Sequence, residues 1–364
     1  MKFRCEREIL AEALATAGRA ATSRSGTLPV LSGVRLDVKD GDLTVTGTDL
    51  ELTIRLSVHV HSDQNGSAVV PARLVADIVK ALPAGAVEVS IADDEMSISA
   101  GRSQFSVRPL SLSDYPAQVE PGGEPVTLAS AEVGNALRQV VRAASTDDAR
   151  AVLTGVLIAS EDDGLKMVAT DSYRLAVRNL PQSSILATGQ KVLVPGRALA
   201  ELQRILSGDD ELTVRLGTRE AVFEVGATRL TTRLIEGEYP NYRNLLPSSH
   251  PNILTVGREA LLEALRRVKI LAQDSTPVRL TLGGDTLQLT AITQDVGNAA
   301  EEIDASYDGA EMTVAFNPDY LAAGIDAIDG DEITLATMDP MKPAVLRGVG
   351  HDEYLYLLMP VRVP

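Results

Sequence analysis

Tryptophan is absent, phenylalanine occurs four times, and aromatic residues make up 3% of the chain. That scarcity argues against reading base sequence or single strands by stacking on aromatic platforms. One cysteine, Cys5, excludes an internal disulfide and reads as a small buried residue on the first strand. No apolar run approaches the roughly eighteen residues of a membrane span, and Met1-Lys2-Phe3-Arg4-Cys5-Glu6 has no apolar signal core. The chain therefore reads as cytoplasmic, with no membrane partner. The phosphate-loop, dinucleotide, nucleophile-elbow and His-Glu-x-x-His patterns are all missing, so an enzyme is the weaker class. Of four histidines, His59 and His61 share one strand face and lack a third His or Cys nearby, and His250 and His351 fall in loops. The acidic clusters Asp40/Asp42, Asp93-Asp94-Glu95, Asp162-Asp163 and Asp329/Asp331 lack EF-hand spacing and read as turn chemistry. Net positive charge is also missing. At −16 the chain opposes wholesale attraction to nucleic acid, unless its cations are gathered on one surface.

What the sequence does contain is a repeat. Val34-Arg-Leu-Asp-Val38 and Leu43-Thr-Val-Thr46 alternate around a polar turn and predict a hairpin, which returns from Val156 and Leu165 and again from Val278 and Leu287. Both sets are spaced by 122 positions, so three copies account for nearly the whole of the 364 residues. Glu6 to Ala21 carries Ile9, Leu10, Ala13, Leu14 and Ala17 at the spacing of one helix face. A second helix follows Pro71, Pro195 and Pro318, where proline's fixed φ and missing N–H suit a helix start. Each copy then runs strand, helix, three strands, twice over. Pro/Gly/Ser-rich linkers join the copies at Glu120 to Pro125 and at Pro247 to Asn252. Thr48-Asp49 and Thr170-Asp171 open equivalent strands, whereas the third copy has Ile292-Thr293 there. The stretch therefore reads as a scaffold element adapted in one copy.

One helical face per sheet makes a layered α+β domain, and three such domains end to end suggest an arc with free strand edges. Closed by a second molecule, twelve helices about 10 Å wide trace a circumference of about 120 Å and leave a hole of about 28 Å, enough for a duplex. Cations gather on the helices: Arg73 and Lys80, Arg138 and Arg142, Arg197 and Arg204, then Arg266, Arg267 and Lys269, with Arg24 and Arg150 just after helices. They read either as solvated helix faces or as a lining that touches phosphate. A non-DNA repeat scaffold building filaments is the alternative, and a metal-dependent hydrolase using the acidic turns or the histidine pair is a third reading.

Together the repeat, Thr170-Asp-Ser-Tyr-Arg-Leu-Ala176, Glu238-Tyr-Pro-Asn-Tyr-Arg243 and Tyr356-Leu-Leu-Met-Pro-Val-Arg362 resemble the bacterial sliding clamps, the beta subunits of DNA polymerase III, across the whole chain. The resemblance implies three tandem DNA-clamp domains, 1–121, 122–248 and 249–364, with paired helices inside and antiparallel sheets outside, closing as a head-to-tail homodimeric ring. It implies a non-catalytic processivity factor of DNA replication, without metal or cofactor, encircling duplex DNA without sequence preference and associated with the nucleoid. Its partners would be the replicative polymerase, the clamp loader, repair polymerases and mismatch-repair proteins, bound through short peptides. By matching positions the peptide site comprises Leu153, Thr170, Ser172, Tyr173, Arg174, Leu175, Pro240 and Leu245, closed by Tyr320, Met341, Leu357, Leu358, Met359, Pro360 and Arg362. The dimer contact sets Phe105 and Val107 against Ile270 and Leu271, and the helix cations, with Arg24 and Arg150, meet DNA. Ser172-Tyr173 stands where the family often carries Gly-His, Asn244 where a basic residue is common, and Val363-Pro364 extends the usual end.

Overall fold

The computed structural model describes residues 1–21, 28–92, 94–117, 122–161, 164–181, 185–208, 211–247, 249–272 and 276–362. Arg24, Asp93, Asp162, Asp163, Val363 and Pro364 lie outside the described residues, as do Glu120, Pro121 and Ser248 of the expected linkers. Six α-helices stand among the described residues: α1 Arg7–Gly18, α2 Ala72–Ala81, α3 Ser130–Val140, α4 Gly196–Ile205, α5 Arg258–Lys269 and α6 Pro318–Ala327. A strand precedes each helix and three follow it, as the alternation predicts. The first copy adds the short strand His61–Gln64.

The helices form where the apolar stripe finds a sheet. In α1, Leu10, Ala13, Leu14 and Ala17 are buried, while Ile9, at the margin of that stripe, is 44% exposed. The strand Asp42–Thr48 passes close beneath, because a Cβ on Gly47 would stand 2.0 Å from the Ala17 carbonyl oxygen. Pro318 is the first residue of α6, and the Asn317 side chain caps it by accepting from Asp319 N at 2.9 Å and Tyr320 N at 3.1 Å. Pro71 and Pro195 instead close the strands that lead into α2 and α4.

The described residues fall into two compact units that do not follow the repeat. One comprises 1–131 with 200–234, the other 132–199 with 235–364, so the middle copy contributes to both. The first holds a five-stranded sheet, ordered His61–Gln64, Lys2–Glu6, Ala86–Ala92, Glu95–Ala100, Ser103–Val107. Its eight-stranded sheet joins two copies by pairing Leu52–His59 with Thr228–Arg233, Ile54 opposite Leu230. In the second unit a twelve-stranded sheet joins copies the same way, pairing Arg174–Pro181 with His351–Leu358, Leu175 opposite Leu357. Pairing among the described strands is antiparallel, and along strands such as Lys2–Glu6 and Gly33–Lys39 inward residues alternate into an apolar core. Cys5 lies in the first core, where burial pushes its thiol pKa up. His59 and His61 do not share a strand face. The strand is interrupted at Val60, so His59 ends a strand of the eight-stranded sheet beside Asp42 and His61 opens one of the five-stranded sheet. No described helix is long and apolar enough to cross a membrane.

Candidate functional site

In the second unit the strands Gly164–Thr170 and Arg174–Pro181 meet at a turn built by its first two side chains. Thr170 Oγ1 donates to the Arg174 carbonyl at 2.6 Å and accepts from Ser172 N at 3.2 Å. The Asp171 carboxylate accepts from Tyr173 N at 2.9 Å and from Arg174 N and Nε at 3.0 Å each. These bonds hold Ser172 in the left-handed region, φ +79°, and thrust Tyr173 outward, 58% exposed. Arg150 braces the turn from below, donating to Asp171 O and Ser172 Oγ, each at 3.2 Å. Thr170, expected in the peptide site, is buried with its hydroxyl already used by the fold.

Arg174 is the hinge between turn and surface. Its guanidinium lies 4.4 Å above the Tyr320 ring, and the Tyr173 ring stacks on Tyr320 at 6.3 Å between centroids. Burial works against the Arg174 charge, but Tyr356 and Asp171 beside it outweigh that and raise its pKa. Tyr356 Oη donates to the Tyr320 carbonyl at 2.8 Å, and Gly324 makes room, since a Cβ there would sit 2.4 Å from the Tyr356 ring. Met359 N donates to Tyr173 O at 2.9 Å, which sets Met359, 38% exposed, beside the aromatic pair.

The structure thus brings Ser172, Tyr173, Arg174, Tyr320 and Met359 together at the end of a strand pair that sets Arg174 opposite Leu358 and, on the other sheet face, Leu175 opposite Leu357, all three leucines buried. Pro240 and Leu245 are exposed on a neighbouring segment whose Tyr242 and Leu246 pack into the cluster with Leu175 and Leu357. Leu153 is buried, and Met341 is exposed on the turn before Ala344–Gly348, whose Ala344 pairs with Leu358. Pro360 is half-buried and Arg362 exposed. Sequence reasoning missed Asp171 and Gly324. The recurrence of Thr-Asp at 122 positions was the available signal for the first, and nothing local marks the second.

The helix cations divide. Arg138 pairs with Asp329 at 2.6 Å, Arg142 with Asp326 at 2.6 Å, Arg150 with Asp147 at 2.9 Å and Arg267 with Glu301 at 2.7 Å. Arg204 and Lys269 are bonded to Glu201 and Asp319. Arg73 is 94% exposed, with Asp77 only at 3.9 Å, and Lys80, Arg197 and Arg266 are exposed. Of the expected dimer contacts, Ile270 is 81% and Phe105 40% exposed, and Leu271 is half-buried. Val107 is buried at 6% in the core of its own unit, opposite Met96, although it shares a strand face with Phe105.

Residues 1–119, 127–241 and 243–362 match the N-terminal, central and C-terminal domains of the DNA polymerase III beta subunit. The beta sliding clamp of Streptomyces coelicolor is 35% identical over 380 aligned positions, covering 100% of both chains. The chain belongs to the DNA polymerase III beta subunit family. It is a bacterial sliding clamp for DNA polymerase, a non-catalytic processivity factor. The Staphylococcus aureus beta sliding clamp is 31% identical over 376 positions, 100% of this chain and 99% of that one. Among solved clamps, those of Bartonella birtlesii, bound to griselimycin, and Bacillus subtilis superpose over 100% of both chains with TM-scores of 0.91 and 0.90 at 30% and 27% identity. The non-DNA scaffold alternative finds no support in these likenesses.

Proposed function

We propose that two copies of this clamp close head to tail around duplex DNA. The surface formed by Tyr173, Arg174, Tyr320 and Met359 takes short, partly hydrophobic peptides from the replicative polymerase, the clamp loader, repair polymerases and mismatch-repair proteins. The repeats 1–121, 122–248 and 249–364 are its domains, and it works in the cytoplasm on the nucleoid.

The observation that supports closure is an unfilled junction. The fourth strand of the first copy pairs with the last strand of the second, and the fourth strand of the second with the last of the third. The fourth strand of the third copy, Gly297–Asp308, pairs along that edge with Asn252–Gly257 only from Ala305 to Asp308. The last strand of the first copy, Ser103–Val107, is the edge of its sheet. Such unpaired edges are templates for another chain. Carrying the register of the filled junctions across sets Ala299 opposite Phe105 of a second copy, and Glu302 opposite Arg102 with complementary charge. Exposed Ile270 and Phe105 supply apolar area at the same junction.

Within such a ring Arg73, Lys80 and Arg197, with Arg24, meet phosphate without reading bases, so affinity is weak and salt-dependent and retention is topological. Light scattering is expected to give a mass about twice 38.6 kDa that does not grow with concentration. Glu302→Arg is expected to lower that mass and Arg102→Glu in the same chain to restore it. Protein loaded on a circular plasmid is expected to leave when the plasmid is cut once. Retention on the linear product would contradict encirclement.

A further inference from the structure

We propose that Arg138, which its helix position marks for DNA, is instead a positioning residue: with Gln139 and Asp329 it latches the end of α6 to α3. The part concerning DNA rests on the reading above that helix cations meet phosphate.

The last carbonyls of α6 have no partner within the helix. Arg138 Nη1 donates to Asp326 O at 3.1 Å and Gln139 Nε2 to Ala327 O at 3.0 Å, so side chains of α3 cap α6. Asp329, just beyond the helix, gathers Arg138 Nη2 at 2.6 Å, Asn135 Nδ2 at 2.9 Å and Gln139 Nε2 at 3.1 Å. Asn135 Oδ1 in turn accepts from Arg138 Nε at 3.1 Å and Nη2 at 2.7 Å. All three guanidinium nitrogens are therefore engaged, and a phosphate that took Arg138 in their place would break charge-assisted bonds. A cation at a helix C-terminus also suits the helix dipole.

The latch reaches the peptide surface through two tyrosines. Tyr354 Oη donates to the Gln139 carbonyl at 3.1 Å, fixing the strand His351–Leu358 to α3. On that strand Tyr356 holds Tyr320 of α6, and Tyr320 carries the Arg174 guanidinium. Arg138 thus sets where α6 presents its aromatic ring, by capping the helix from the neighbouring copy.

The test uses the full-length protein with Arg138→Gln, Asp329→Asn, their double variant, and Arg73→Gln as a DNA control. One readout is hydrogen exchange at Ile325 to Ile328, the other the slope of log affinity for a labelled linear duplex against log salt. Arg138→Gln and Asp329→Asn are each expected to speed exchange at the end of α6 about tenfold. The double variant is expected to go no further, because the two residues act as one unit. The Arg138→Gln slope is expected to match the parent, whereas Arg73→Gln lowers it by about one. A slope lowered by about one for Arg138→Gln with unchanged exchange overturns the proposal. Additive effects on exchange in the double variant overturn it as well. If Arg73→Gln leaves the slope flat, the DNA reading fails, and the exchange readouts still decide the latch.

Discussion

At the start of the first turn, Thr48 Oγ1 donates to Leu52 O and accepts from Leu50 N, both at 3.1 Å, and Asp49 Oδ1 accepts from Glu51 N at 3.1 Å and Leu52 N at 2.8 Å. The second turn, Thr170 to Arg174, repeats each of those bonds. Leu50 and Ser172 share a left-handed φ, +78° and +79°. Even the neighbouring strand docks alike: Arg233 N donates to Glu51 O and Met359 N to Tyr173 O, each at 2.9 Å. The turns part only in what they display. Glu51 meets Arg233 in an exposed pair at 3.4 Å, whereas Tyr173 and Arg174 stack on Tyr320 beside an exposed methionine. Thr-Asp is therefore the scaffold in both copies. Under the proposed function, adaptation to a partner lies in the residues it holds up; the third copy, without Thr-Asp, pairs as far as Thr293 with Gly297 and turns over three residues instead of four.

Alkali should separate the two surroundings most strongly. Burial raises the phenol pKa of Tyr354, Tyr356 and Tyr239 in the second unit, while Tyr115 is the one tyrosine of the first, also raised by burial. A raised folded pKa contributes stability that is whole below the unfolded value near about 10 and is lost as pH climbs beyond it. Hydroxyl-radical footprinting above that pH is expected to show the second unit opening first. Opening that began in the first unit would mean these tyrosines do not govern it.

Removing the turn's carboxylate comes next. Asp171→Ala is expected to cost about 3 kcal/mol by urea unfolding, because it strands the Arg174 charge, with both side chains under 15% exposed. Asp49→Ala, which removes the bonds to Glu51 N and Leu52 N, is expected to cost about 1 kcal/mol. Equal losses would erase the distinction between the turns. Arg174→Ala is expected to weaken a polymerase-derived peptide about tenfold in calorimetric titration, and Met359→Ala only a few-fold, with the dimer mass unchanged for both. Smallest of all, Glu51→Ala is expected to stay within about 0.5 kcal/mol and to leave peptide titration untouched. A peptide response to Glu51→Ala would make the first turn a second binding surface.

Much of the architecture is local in origin and so was readable beforehand. Period-two alternation around Lys39-Asp-Gly-Asp42 makes a hairpin wherever it occurs, and its return at 122 positions makes three copies. Tyr173 and Met359, the exposed members of the proposed peptide surface, are named by the resemblance because they lie in short contiguous motifs. The cations were another matter. Arg138 sits on a helix face that spacing alone offers to solvent, yet its carboxylate partner comes from 191 residues away. Val107 and Phe105 carry the same apolar label on one strand face two residues apart, yet one is 6% and the other 40% exposed, a difference set by where the core ends along the strand.

Thr170 to Arg174 shows where the division falls. Side-chain bonds to backbone within five residues need no distant partner, so Thr-Asp specifies its turn in two contexts. Whether that turn becomes a charged rim or an aromatic platform depends on what packs across from it, Arg233 in one case and Tyr320 with Met359 in the other. Those neighbours arrive through pairings far apart in sequence, where no residue spacing records which side chain will be covered and which left bare.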